Sequence, residues 1–286
     1  MPQTYLEQLA HFTNFLTAYV HTLLYLRALY PPTTFIRARF HNTPVHQSRH
    51  PDVCDWIRDA VSAVRDELLA GTVARIGVAI FWYGSNEATG SPKIMERYML
   101  DVSQFPVVPK NERAMGIEWD RDDSPTSFSV SDHEDEEDKA PQQANKGKGK
   151  EKAQPLDADV EVDMSEQFRA ALVMLNTRCA QLKALPKHCS FNISMELKDE
   201  PDMDPPVGHP QPWVPVQSSL QKTGRKGARN TEDQLFRDEG QDLGGARLTP
   251  IRTVEAGVFR FEAWVEEGKA KFEALEAPDS SFTSSI

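Results

Sequence analysis

Cysteine is scarce in this chain. Cys54, Cys179 and Cys189 are odd in number, far apart and outside any C-x-x-C. That spacing excludes a disulfide framework and fits reduced, buried thiols of an intracellular protein. His188 and Cys189 adjoin, but no second pair matches them, so no zinc-ligand set forms. Long apolar runs are missing too. No uninterrupted run approaches about 18 residues, and no basic n-region precedes a short apolar core, which predicts a soluble, non-secreted protein without a membrane partner.

Catalytic signatures are also absent: no G-x-x-x-x-G-K-[ST], no G-x-G-x-x-G after a strand, no G-x-S-x-G and no H-E-x-x-H. His46 and His50 stand four apart, but Pro51 places them in a turn before a helix. Asp202 and Asp204 sit among prolines without an apolar pocket to tune them. Neither metal nor cofactor is expected, and a binding module is the better reading than an enzyme in an unfamiliar fold. Positive charge is sparse where phosphate gripping would need it. The formal net charge is −11 over 286 residues, and residues 112–163 hold 16 acidic against 7 basic side chains. The rest of the chain is close to neutral, with no basic stripe, so strong direct nucleic-acid binding is not expected. Hydrophobic residues make up 39% and mean hydropathy is −0.53, low for one compact globule.

What is present reads as three helices and several strands. Residues 4–29 carry apolar side chains at three- and four-residue spacing and stop at Tyr30-Pro31-Pro32. Phe35–Phe40 is a short strand that turns at Asn42-Thr43-Pro44. His50-Pro51-Asp52 opens a second helix ending at Gly71, with Trp56 beside its apolar stripe. Val73–Tyr83 is a buried strand and Ile94–Val102 its hairpin partner. A third helix spans Ser165 to about Leu185, with Ser165 as N-cap, Pro186 as its stop and Arg169 on its flank. Ser190–Lys198 alternates as a half-buried edge strand. After a proline- and glycine-rich detour containing Pro212-Trp213-Val214-Pro215, the chain returns through Thr249-Pro250 to the strand Val258–Val265. There Phe259, Phe261, Ala263 and Val265 form an apolar face, and Trp264 lies on the other. These elements predict an α+β domain with helices on a mostly antiparallel sheet. Residues 109–163, including Asp132–Asp138, cannot bury enough apolar surface to offset ordering entropy and are expected to be disordered.

Four blocks in this order, YLEQLAHFTNFLTAYVHTLLYLRALYPPTTF, NTPVHQSRHPDVCDWI, PWVPV and LTPIRTVEAGVFRFEAWVEE, resemble HORMA-domain proteins. The resemblance is strongest to the mitotic-arrest-deficient-like branch that serves DNA polymerase zeta. It implies a HORMA core over residues 1–108 and 164–198, an acidic insert at 109–163, a C-terminal safety belt at 199–268 with an insert near 217–244, and a flexible tail at 269–286. It implies a non-catalytic adaptor that captures a proline-bearing peptide of the polymerase's catalytic subunit at a sheet edge, with Trp56 and Trp213 contacting it. It also implies a second surface for the C-terminal domain of the translesion scaffold polymerase. In the family that surface uses a Leu, a Gln and a Tyr, which here read Leu248, Glu262 and Trp264, so the last two depart from the pattern. Arg169 falls where the family uses an Arg for HORMA–HORMA dimers. An AAA+ remodeller and a nuclear location belong to the same expectation, and a spindle-checkpoint HORMA protein is the alternative within the fold.

Overall fold

A computed structural model describes residues 4–83, 92–117, 164–198, 214 and 247–276. Helix α1 (Tyr5–Leu26) is the axis of the core. Thr4 and Glu7 form a reciprocal capping box at its start, the arrangement that satisfies two of the orphan amides of a helix N-terminus. Leu9, Phe12, Phe15, Leu16, Tyr19 and Leu23 along it have no exposed surface. Strands β1 (Phe35–Phe40) and β2 (Thr43–Ser48) form a separate antiparallel hairpin beside α1. Helix α2 (Pro51–Ala70) starts on its proline and ends at Gly71, whose left-handed φ of 80° closes the last turn.

The main sheet has five strands in the order β5-β3-β4-β7-β6, every neighbour antiparallel. They are β3 (Val73–Trp82), β4 (Lys93–Asp101), β5 (Ser190–Leu197), β6 (Arg247–Ala256) and β7 (Phe259–Glu267). Helices α1 and α3 (Met164–Gln181) cover one face. Phe259 and Phe261 of β7 are buried there against Phe12, and Phe15 stacks on Phe168 at 4.7 Å. The α+β reading and its helix-on-sheet layering therefore hold.

Four local expectations change. The return of the chain is a hairpin, not one strand. Pro250 hides β6 from a propensity reading, but β6 is the outer strand of the sheet and its register shifts between Pro250 and Arg252, the place a strand tolerates proline. Helix α3 begins at Met164 and stops at Gln181, short of Pro186. Its end is set from far away: the Arg27 guanidinium donates to the Cys179 carbonyl at 3.2 Å and the Lys183 carbonyl at 2.7 Å, supplying cation and donors where a helix C-terminus lacks them. Residues 109–117, expected in the insert, form turns held to α1 and α2. Leu6 N–H donates to the Arg113 carbonyl, and Arg113 Nη2 donates to the Leu69 carbonyl at 2.6 Å. Residues 269–276, expected in the tail, form a helix, α4 (Lys269–Glu276), because Lys271 is buried in an ion cluster with Glu96 and Glu267.

Candidate peptide-binding edge and second surface

Strand β5 ends the sheet on one side. Its inner edge pairs with β3 from Ser190↔Phe81 to Leu197↔Val73, and among the described residues nothing pairs with its outer edge. The backbone N–H of Ile193 donates to Asn192 Oδ1 at 2.8 Å, so this amide is satisfied by a neighbouring side chain.

Trp56 stands on α2 next to the start of this strand. It is 39% exposed, and its ring meets Phe191 edge-on at 5.1 Å. Phe191 in turn faces Tyr30 at 6.4 Å. Around them opens a cavity of about 380 Å³ that Thr34, Ser48, His50, Asp52 and Val53 also line. Aromatic walls with a few polar groups at a free strand edge offer main-chain pairing and a side-chain pocket together. Sequence reading found Trp56 but put Phe191 on a core face and Tyr30 in a helix stop. No local signal places those two rings beside Trp56. Trp213, the other expected peptide contact, lies outside the described residues.

The closing hairpin is docked on the opposite edge. β7 pairs with β4 from Glu96↔Glu267 to Asp101↔Glu262, and β6 lies outside β7. Following register across the sheet, Arg247 re-enters level with the start of β5, whereas the chain left β5 at its end. Residues 198–246 thus connect diagonally opposite corners. Four inter-strand steps of about 4.8 Å and a strand of about 25–30 Å set the minimum path, and 49 residues extend up to about 160 Å. The connection has several-fold more length than a direct crossing needs.

An ion cluster fixes the docked hairpin. Glu96 of β4 accepts from Arg27 Nε and Nη2 at 2.8 and 2.7 Å, from the Tyr98 hydroxyl at 2.8 Å and from Lys271 Nζ at 2.5 Å. Lys271 also reaches Glu267 of β7. Two cations meet two carboxylates with almost no solvent access, which suits a buried set whose members are all paired. Burial works against the Arg27 charge, but the Glu96 carboxylate together with Tyr98 and Cys179 outweighs it and holds Arg27 above its ordinary pKa. Burial pushes the Cys179 thiol beside this cluster up to about 11.

The expected second surface is brought together but not as expected. Cross-strand pairing puts Leu248 opposite Glu266, Pro250 opposite Trp264 and Thr253 opposite Glu262. Leu248, Glu262 and Trp264 therefore share the sheet face away from the helices. Leu248 is 42% exposed and Glu262 is exposed. Trp264 is 2% exposed, which corrects the expectation that its ring faces outward. Its cross-strand neighbours are Met99, fully buried, and Pro250, and its indole N–H donates to Glu266 Oε1 at 2.8 Å. Burial raises the Glu266 pKa despite that bond and the nearby Arg97. Arg169 is an exposed side chain on α3, paired with Glu166 one turn earlier at 3.1 Å.

The HORMA domain family model matches residues 9–222. The chain belongs to the HORMA domain family. This HORMA chain is 26% identical over 262 residues to the DNA polymerase zeta processivity subunit of Schizosaccharomyces pombe, spanning 90% of this chain and 91% of the relative. It is 28% identical over 96 residues to the Bos taurus mitotic spindle assembly checkpoint protein MAD2B, covering 34% of this chain and 42% of that one. Among solved structures, a chain of the crystal structure of the mitotic checkpoint complex superposes with a TM-score of 0.53 at 14% identity, over 91% of this chain and 97% of that chain. That likeness establishes a shared HORMA fold.

Proposed function

We propose that this HORMA protein is the non-catalytic accessory subunit of DNA polymerase zeta, acting in the nucleus in DNA damage tolerance. A proline-bearing peptide of the catalytic subunit adds as a strand to the outer edge of β5. Residues 198–246 pass over it as a safety belt, and the β6–β7 hairpin buckles that belt to β4. The observation that carries this reading is the pairing of a free β5 edge with closing strands docked on the opposite edge. A local side-chain bond now satisfies the Ile193 amide, and an incoming carbonyl would take its place at little cost. Main-chain bonds would supply affinity, and the cavity at Trp56 and Phe191 would take one anchoring side chain. Dissociation of a strand trapped under a belt requires local unfolding, so the complex is slow to release. Leu248 and Glu262 form the reading's second contact, with the scaffold polymerase's C-terminal domain, and Trp264 supports them from beneath.

The test is co-expression with the proline-bearing peptide followed by size-exclusion chromatography in high salt. A stable co-eluting complex is expected. Trp56→Ala should weaken capture by about tenfold to a hundredfold, the range of an aromatic anchor, without lowering the melting temperature. Absence of co-elution with the wild-type chain contradicts the reading. Retention of a spindle-checkpoint peptide in its place would favour the checkpoint role.

A further inference from the structure

The β1–β2 hairpin carries charge of one sign. Residues 8–51 contain no Asp or Glu, although the chain's net charge is −11. Their arginines are Arg27, Arg37, Arg39 and Arg49. Arg27 is committed to Glu96 and the end of α3. The other three are exposed, and among the described residues none has a carboxylate partner. Three exposed arginines elsewhere do have one: Arg58 meets Asp55, Arg169 meets Glu166 and Arg260 meets Glu255, while exposed Arg247 has none among the described residues.

Arg37 and Arg39 line a cavity of about 370 Å³ with Ala38, Asn42 and Pro44. Opposite them in register are His46 and Pro44, so both guanidiniums leave the same face of the hairpin, about 6.7 Å apart along the strand. An extended peptide presents every second side chain at that same interval. In the run Asp132–Asp138, positions 132, 134, 136 and 138 read Asp, Glu, Glu, Asp. That is an unbroken row of carboxylates with the period of the two arginines, and arginine–carboxylate pairs of this kind are directional and strong.

The run is tethered close by. Ile117 is the last described residue before it, and its neighbour Gly116 bridges to Thr4 at the start of α1. The hairpin tip meets α1 at His11, whose ring lies 6.1 Å from that of His41. Thr4 and His11 are about 10 Å apart along the helix. The 14 residues from 118 to 131 reach up to about 45–50 Å. Tethering at this range corresponds to an effective concentration on the order of millimolar. Three arginines without a flanking basic stripe suit a short acidic segment better than a nucleic-acid duplex.

We propose that the acidic run Asp132–Asp138 docks in cis on the exposed face of the β1–β2 hairpin, its alternating carboxylates pairing with Arg37 and Arg39. Occupied in this way, the hairpin does not hold other polyanions.

The test uses the full chain with its acidic residues between 132 and 138 changed to Asn and Gln, and a fluorescein-labelled peptide of residues 131–140. Saturable binding of the peptide is expected. It should weaken by about tenfold or more between about 50 and about 300 mM salt and vanish with Arg37→Glu and Arg39→Glu together. The unaltered chain should bind the same peptide about tenfold more weakly, because its own run occupies the hairpin. Arg37→Gln with Arg39→Gln serves if charge reversal impairs folding. Equal binding to the altered and unaltered chains would overturn the proposal. So would binding of a DNA duplex by the altered chain without binding of the peptide, and so would no binding of either.

Discussion

The Lys271 ammonium lies 2.5 Å from Glu96 Oε1, joining the last described helix to a central strand without any exposure of either side chain. Glu96 also holds Arg27, and Lys271 also holds Glu267. One cluster therefore ties α1, β4, β7 and α4, and with them the docked hairpin.

Lys271→Ala strands Glu267 as a buried carboxylate without a cation. A loss of about 3–5 kcal/mol is expected, read as a lowered urea midpoint. Lys271→Met with Glu267→Gln removes both partners and should cost less than the sum of the single changes. Additive losses would show that the two groups do not interact.

The β6–β7 face separates stability from recognition. Trp264→Ala opens a large cavity and should cost about 3–5 kcal/mol. Leu248→Arg and Glu262→Arg alter exposed positions and should change stability by no more than about 0.5 kcal/mol while reducing binding of the scaffold polymerase domain. Thermal melts and a pull-down with that domain distinguish the two effects.

Burial pushes the thiols of Cys179 and Cys189 up to about 11. Neutral thiols are poor nucleophiles, so alkylation of Cys179 and Cys189 at pH 8 should be slow in the native protein and fast in denaturant. Burial also raises the Tyr19 and Tyr98 hydroxyls well above their ordinary value. All four groups bind protons more tightly folded than unfolded. Their contribution is complete below the unfolded values of about 8.5–10 and is lost as pH rises through the folded values. The urea midpoint should therefore fall from pH 8 to pH 11, and a flat profile would contradict these assignments.

Much of this fold is written locally. The spacing of Leu9, Phe12, Leu16 and Leu23, the Pro51 start and Gly71 stop of α2, and the alternation of Phe191, Ile193, Met195 and Leu197 each mark an element from neighbouring residues. What escaped depends on distant partners. Arg27 ends α3 from more than 150 residues away. Strand β6 looks like a loop because Pro250 is acceptable only at a sheet edge. Helix α4 is polar and short, held by a buried lysine, a placement that residue preferences disfavour. At the candidate site, Trp56 stood out as an aromatic beside an apolar stripe, whereas Tyr30 and Phe191 join it through tertiary packing. Alternation assigned Trp264 to the correct face but could not report that the ring is covered.

Amide hydrogen exchange of Phe191–Leu197 reads strand addition at the β5 edge residue by residue. It would be measured on the full chain with and without the proline-bearing peptide of the catalytic subunit. Added as a strand on β5, the peptide should slow exchange of the outward-facing amides of this segment, Ile193 among them, by about a hundredfold or more, with β6 changing far less. Protection confined to β6, or unchanged exchange along β5 in a complex that co-elutes, would contradict capture at this edge.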